Sequence, residues 1–387
     1  MIANGNNLSQ CWDFPPGHVY LNHGSFGACP SKIIEIQHEM QRELERQPME
    51  FLVRKLEGLH RKSRERLSRF VGCSAEDLVF VSNATEAVNT VLRSLSFQSD
   101  DEILVTNHTY QACRNAVDIV ARQAGAKVVV AQIPFPCRSE ETVIEAIEDV
   151  VSNRTRFALI DHVTSPTALV LPIKHLVSTL EAQGVMTMVD GAHAVGMLPL
   201  ELDNIGASFY TSNCHKWLCA PKSSAFLYVK PELQSLVRPL SLSHAASLPD
   251  NDGSRFQKEF GWPGTHDPTP YLVIPDCIDF ISSVDGGNAE AWMTRNRRAT
   301  LKGREAMLSE FQIGEPCPDS MIGAMAALPL PDGDATELQR TLLVEHHIEV
   351  VVSPWPNPQS RLIRFSMQAY NSQNDVDALV TALKAIL

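Results

Sequence analysis

The sequence is read as an α/β protein: a large domain with a mostly parallel seven-stranded sheet covered by helices, followed by a small C-terminal α+β domain. Three observations predict this. Between Leu78 and Val229, short apolar runs alternate with helix-period stretches, as in parallel strands joined by crossover helices. Several of those helices run out at a glycine, Gly125 and Gly184 among them, where a left-handed cap is least strained. Beyond Val229 the alternation stops, then resumes as a shorter mixed pattern. With 387 residues and 44% hydrophobic content, the chain is long enough for one large and one small core.

Taken in order, residues 1–10 are polar and expected to be mobile, and the glycine-rich stretch Tyr20–Pro30 is expected as a loop holding Asn22 and His23. Two helices follow, with apolar lines Ile36, Met40, Leu44 and then Leu52, Leu56, Leu59, Leu67, Phe70. Strands are expected at Leu78–Val81, Glu102–Thr106, Lys127–Ala131, Arg156–Asp161, Met186–Asp190, Phe209–Ser212 and Ala225–Val229. Residues Arg238 to Gly261 read as a polar loop over a cleft. Helices at Pro268–Ser283 and Ala289–Phe311 then lead to strands Ile322–Leu330, Ile348–Val352 and Leu362–Ser366 and a final helix Asn374–Leu387. The domain limits that follow are an N-terminal segment 1–30, a large domain 31–267 and a small domain 268–387.

In such sheets ligands bind beyond the carboxyl ends of the strands, and chemically capable residues cluster there. Lys216, between His215 and Trp217, stands just after a strand among bulky neighbours. Partial burial disfavours the ammonium, leaving an amine able to attack a carbonyl. Asp190 ends a buried strand one βα unit earlier. Amine and acid in that order suggest pyridoxal 5′-phosphate, whose ring nitrogen such an acid keeps protonated. A third stretch, Ser82-Asn83-Ala84-Thr85-Glu86, joins a strand to a helix whose free N–H groups suit a phosphate.

These residues resemble the fold-type I pyridoxal phosphate enzymes, specifically the class V aminotransferase family and its isopenicillin N epimerase-like branch. The resemblance rests on Tyr20–Gly27, Ser82–Glu86, His162–Pro172, Asp190–His193, Asn213–Trp217, Trp262–Asp267, Arg361–Ser366 and Tyr370-Asn371, spread over nearly the whole chain. It implies an aspartate aminotransferase-like fold and a homodimer with its active site at the interface. It also implies roles: Lys216, Asp190 and His193 catalytic; Asn83, Ala84, Thr85, Asn213 and His215 on the cofactor with Ser165. Thr265 would reach the neighbouring subunit's phosphate. Tyr110, preferred to His108, would stack on the ring. Arg364, preferred to Arg361, would take the carboxylate of an α-amino acid, with Asn22 and His23 shaping the substrate pocket.

Composition narrows the partners. A formal charge of −12 without a basic run argues against nucleic acid or an anionic membrane. Nine cysteines without ligand spacing read as reduced thiols, so a cytoplasmic protein without metal is expected. After loss of the Cα proton to Lys216, the resemblance leaves epimerisation, C–S lyase chemistry or transamination open. Persulfide-forming desulfuration is disfavoured, because no cysteine lies between Cys317 and Arg364. Cys277 and Cys214 are poorly placed to replace one. Epimerisation needs a second acid or base, for which His23, His108, Tyr110 and His266 are candidates. A binding or scaffold protein without cofactor is the alternative from another class, and the intact lysine, aspartate and arginine argue against it.

Overall fold

The structure is a computed structural model describing residues 8–248, 254–284 and 287–387. Of the expected mobile start at 1–10, residues 1–7 lie outside the described residues, whereas Leu8–Cys11 form an ordered 3₁₀ turn because Leu8 is buried against the core. Strands, in chain order, are β1 (Val19–Tyr20), β2 (Leu78–Val81), β3 (Glu102–Thr106), β4 (Lys127–Ala131), β5 (Thr155–Asp161), β6 (Met186–Asp190), β7 (Phe209–Asn213), β8 (Ala225–Val229), β9 (Met325–Leu330), β10 (Ile348–Glu349), β11 (Val351–Pro354) and β12 (Arg361–Ser366).

The large sheet has the order β2-β8-β7-β6-β5-β3-β4. Only β8 runs antiparallel to its neighbours β2 and β7, so β3, β5, β6 and β7 end at the same edge. Alternate residues enter the two cores: Ala158, Ile160 and Val189 face one, Phe157, Leu159 and Met188 the other. A sheet buried on both faces needs apolar residues at every position of its central strands. That requirement makes the seven strands visible in the sequence.

The second half departs from expectation where the chain changes partners. The strand expected at Ile348–Val352 is split: β10 pairs in parallel with β1, whereas β11 pairs with β12 in the three-stranded sheet β11-β12-β9. The helix expected at Pro268–Ser283 breaks into Thr269–Leu272 and Ile274–Ser283; Pro275, lacking an N–H, sits in the first turn of the second piece, where none is needed. In the stretch expected as a polar loop, the described part holds a 3₁₀ turn at His244–Ser247 and a helix at Arg255–Gly261. Residues 249–253 lie outside the described residues.

The N-terminal segment is fastened to the small unit rather than to the large sheet. Trp12 and Phe14 set their rings 4.9 and 4.8 Å from Tyr370, and the Ser366 amide donates to the Leu21 carbonyl at 2.8 Å. This holds a helical turn, His23–Phe26, against the edge where β7 ends. Gly27 follows with φ of 70°, and a Cβ there would overlap the His215 carbonyl and the Lys216 backbone. Glycine is required by both conformation and space.

Candidate active site

Asp190 ends β6, and the chain leaves β7 at Asn213 to turn through Lys216, so the two adjacent strands deliver acid and amine side by side. The Lys216 Nζ lies 3.3 Å from His193 Nε2, and His193 Nδ1 is buried without a hydrogen-bond partner among the described residues. Burial, then the Arg364 charge, lowers the Lys216 ammonium to about 7. Burial, then Lys216, holds His193 well below the usual imidazole range. Near neutrality a large fraction of the amine is therefore unprotonated, beside a neutral imidazole. The Asp190 carboxylate accepts from the Ala192 amide at 3.0 Å and from the Cys113 thiol at 3.3 Å.

At the other end of the cleft, Asn83 caps the helix Ala84–Ser94, its Oδ1 accepting from the Glu86 amide at 2.8 Å. The Ala84 amide donates to Asn213 Oδ1 at 2.8 Å, which ties this helix start to the end of β7. The Thr85 hydroxyl lies against the Cys113 thiol. His215 Nδ1 is 2.9 Å from the Ser224 carbonyl, leaving Nε2 as its remaining polar atom. Thr265 is exposed and lines a cavity of about 390 Å³ with Ser82, Glu86 and His266, apart from Lys216.

A third group gathers around Arg364, which is 4% exposed. Its Nη1 donates to the Ser165 carbonyl and, at 3.1 Å, to the Ser165 hydroxyl, and its Nη2 donates to Ser25 Oγ at 3.1 Å. Ser25 donates in turn to Asn22 Oδ1 at 2.6 Å, and Asn22 Nδ2 to Glu349 at 3.2 Å. The Nε is buried and without a partner among the described residues, so a donor remains for an incoming anion. Arg361 is placed elsewhere, its Nε donating to the Pro331 carbonyl at 2.8 Å. Facing Arg364, Tyr110 is 47% exposed at the start of the helix Gln111–Ala124.

Of the imidazole candidates for a second acid or base, His108 and His23 have both ring nitrogens engaged and His266 has one. His108 is fully buried, its Nδ1 2.7 Å from Thr167 Oγ1 and its Nε2 2.9 Å from the Ile133 carbonyl. His23 is also fully buried, with Nδ1 3.0 Å from the Tyr370 hydroxyl and Nε2 3.0 Å from the Lys216 carbonyl. His266 Nδ1 lies 2.8 Å from the Gly264 carbonyl. Sequence reasoning passed over Asp161, Cys113, Ser25 and Glu349. Asp161 carries the same signal as Asp190, an acid ending a buried strand. The others are brought in only by folding.

Nucleophilic amine, strand-end acid, helix start and buried arginine are brought together as a phosphorylated pyridine aldehyde would require, and His193 beside the amine keeps a buried Nδ1 without a partner among the described residues. The aminotransferase class-V family matches residues 38–379. The chain belongs to this family. It is a pyridoxal 5′-phosphate enzyme with the aspartate aminotransferase-like fold. Over 96% of the chain and 95% of the relative it is 33% identical to an isopenicillin N epimerase of Streptomyces clavuligerus. It is 30% identical, over 100% of the chain and 86% of the relative, to a probable chloroplastic L-cysteine desulfhydrase of Arabidopsis thaliana. Among solved structures, the fold is shared with the Escherichia coli cysteine desulfurase CsdA, at TM-score 0.78 and 19% identity, covering 100% of this chain and 98% of that one. No helix among the described residues is long and apolar enough to cross a membrane.

Proposed function

We propose that this class V enzyme is a C–S β-lyase acting on L-cysteine or a cysteine S-conjugate, releasing a thiol or sulfide with pyruvate and ammonia. The observation that carries this is the one-sided placement of groups able to move a proton. Lys216, with His193 beside it, is a free base, whereas His23 and His108 each have both ring nitrogens engaged. Elimination needs one base at Cα and a leaving group at Cβ. Epimerisation needs an acid on the opposite face as well.

Bound pyridoxal 5′-phosphate supplies the electron sink that makes the substrate Cα–H acidic. Asp190 holds the positive charge of its ring nitrogen, and His193 and Ser165 serve its phenolic oxygen. Asn83, Ala84, Thr85, Asn213 and His215 hold the phosphate. Tyr110 covers the ring. Arg364 takes the substrate carboxylate through a planar fork, which fixes Cα beside the lysine. Lys216 then removes the Cα proton and, as the ammonium, returns a proton to the departing sulfur. The exposure of Thr265 supports a homodimer in which it reaches the second copy's phosphate, and nine unpaired cysteines support a cytoplasmic setting. Six of those thiols are buried and none is exposed, which supports release of free sulfide or thiol over a persulfide carried on the chain.

Epimerisation is the second reading, favoured by Tyr110, an exposed phenol in the cleft. Incubation with L-cysteine, cysteine S-conjugates and other L-amino acids in deuterated water separates the outcomes. Pyruvate with stoichiometric thiol or sulfide is expected. Deuterium at Cα with inversion, no keto acid and loss of the activity in Tyr110→Phe would replace lyase by epimerase. Keto acid that depends on an added amino acceptor would replace it by aminotransferase.

A further inference from the structure

Two acids, not one, end the central strands. Asp161 closes β5 and Asp190 closes β6, and they are Cα partners in the parallel ladder. Such partners stand about 4.8 Å apart and project to the same face, and here both residues are 3% exposed. Only Asp190 has been given a task.

Their surroundings differ. Asp190 accepts from the Ala192 amide on one oxygen and from the Cys113 thiol on the other, and it feels the charge of Lys216. Asp161 accepts from the Tyr110 amide and the Thr109 hydroxyl. Its Oδ2 is buried with no hydrogen-bond partner among the described residues. The Cys113 thiol faces the pair from the helix above; Tyr210 of β7 feels the Asp190 charge from the opposite core, where its hydroxyl meets His162 Nδ1 at 2.7 Å. Of these, His162 is held neutral by burial, to about 4. Two carboxylates this close and this dry cannot both stay ionised. The bare oxygen belongs to Asp161, and a proton there turns an unpaired acceptor into a donor.

We infer that Asp161 and Asp190 hold a single proton between them, carried on Asp161, which makes Asp161 a positioning residue that keeps Asp190 the one anion of the strand pair. The inference rests on the reading of Asp190 as partner of the cofactor's ring nitrogen for its purpose, and on the chain's own residues for its substance. A neighbouring neutral acid lets Asp190 stay charged in a dry site where burial raises its carboxyl.

Stability follows with a definite sign. An acid whose folded pKa is raised keeps a proton that the unfolded chain has released, so stability falls as pH rises from the ordinary carboxyl range toward the folded value. Asp161→Asn cannot release that proton. In apoprotein, it should therefore gain melting temperature over the native chain at neutral pH and lose that gain near pH 4. A purely structural hydrogen-bonding role would lower the melting temperature at both. Infrared spectra of the apoprotein at neutral pH should show the carbonyl stretch of a buried protonated carboxylic acid, absent from Asp161→Asn. In Asp190→Asn the band should be lost at a lower pH than in the native chain, because the repelling charge is gone while burial still raises the Asp161 carboxyl. A band that survives Asp161→Asn, a band lost at an unchanged pH in Asp190→Asn, or a melting profile for Asp161→Asn parallel to that of the native chain would overturn the inference. If Asp161→Asn does not fold, Asp190→Asn decides alone. Both measurements use protein free of cofactor, so their failure leaves the lyase assignment standing.

Discussion

The two ends of the cleft are built in opposite ways. Asp190 and Lys216 come from the carboxyl ends of adjacent parallel strands, with the phosphate turn Asn83–Thr85 tied to β7 through Asn213. Arg364 is held by Ser165 from a loop after β5 and by Ser25 from the N-terminal segment, 199 and 339 residues away in sequence. The proposed cofactor end is thus a property of one rigid sheet, and the proposed carboxylate end a property of three segments meeting. Rigid sites gain most of their catalytic power from fixed geometry, so the largest effects are expected at the first end and graded ones at the second.

Lys216→Ala should break the comparison most severely. It removes the residue proposed as both cofactor linkage and Cα base, so turnover should fall roughly 10⁴-fold or more. The visible absorbance of the lysine-bound cofactor should vanish with it. A retained band would mean that another lysine carries the link. Asp190→Asn keeps the shape and removes the charge, for a loss in kcat of roughly 10²–10³-fold. Stopped turnover assays on reconstituted protein would measure both.

At the carboxylate end, Arg364→Gln should lower kcat/KM roughly 10–100-fold, chiefly through KM, because it deletes one charge-assisted pair to the substrate. Arg361→Gln is the internal control. Its guanidinium lies over Gly333 and bonds the Pro331 carbonyl, so it should cost stability and leave KM in place. If Arg361 instead moves KM, the two arginines have exchanged roles. The pH dependence of cofactor loading sharpens the other end. With the Lys216 amine titrating at about 7, the fraction able to attack an aldehyde rises with pH. Loading of apoprotein should speed up about fivefold between pH 6 and pH 7 and level off above.

The same contrast explains what was legible in the sequence. Most of β2 to β8 could be read because strands buried on both faces are largely apolar, and Asp190 because it ends such a run; β7 is aromatic and polar, and Lys216 stands out as an amine among bulky neighbours just beyond it. The split of the expected strand Ile348–Val352 could not be read. Ile348-Glu349-Val350-Val351-Val352 reads as one β-rich run, and only the partner changes, from β1 to β12. Tyr110 and His108 are two residues apart and equally polar in sequence. Folding separates them by sending His108 to Thr167 and Ile133 while leaving Tyr110 in the cleft. Ser25 and Glu349 had no local signal, since their value lies in what they touch.

That last pair gives the smallest expected effect and the sharpest test of the three-segment design. Ser25 is the link between Arg364 and the Asn22–Glu349 pair. Its loss removes one hydrogen bond accepted from a guanidinium that keeps Ser165 and its own charge. A contribution of about 1 kcal/mol corresponds to roughly fivefold. Ser25→Ala should therefore raise KM by up to about fivefold with kcat and the cofactor spectrum unchanged. Asn22→Ala, one step farther out, should do less. Such a gradient, falling with distance from the guanidinium and confined to KM, is expected only if the N-terminal segment acts through Arg364. An equal drop in kcat for both variants would mean instead that the segment acts on Lys216, through His23 and its bond to the Lys216 carbonyl.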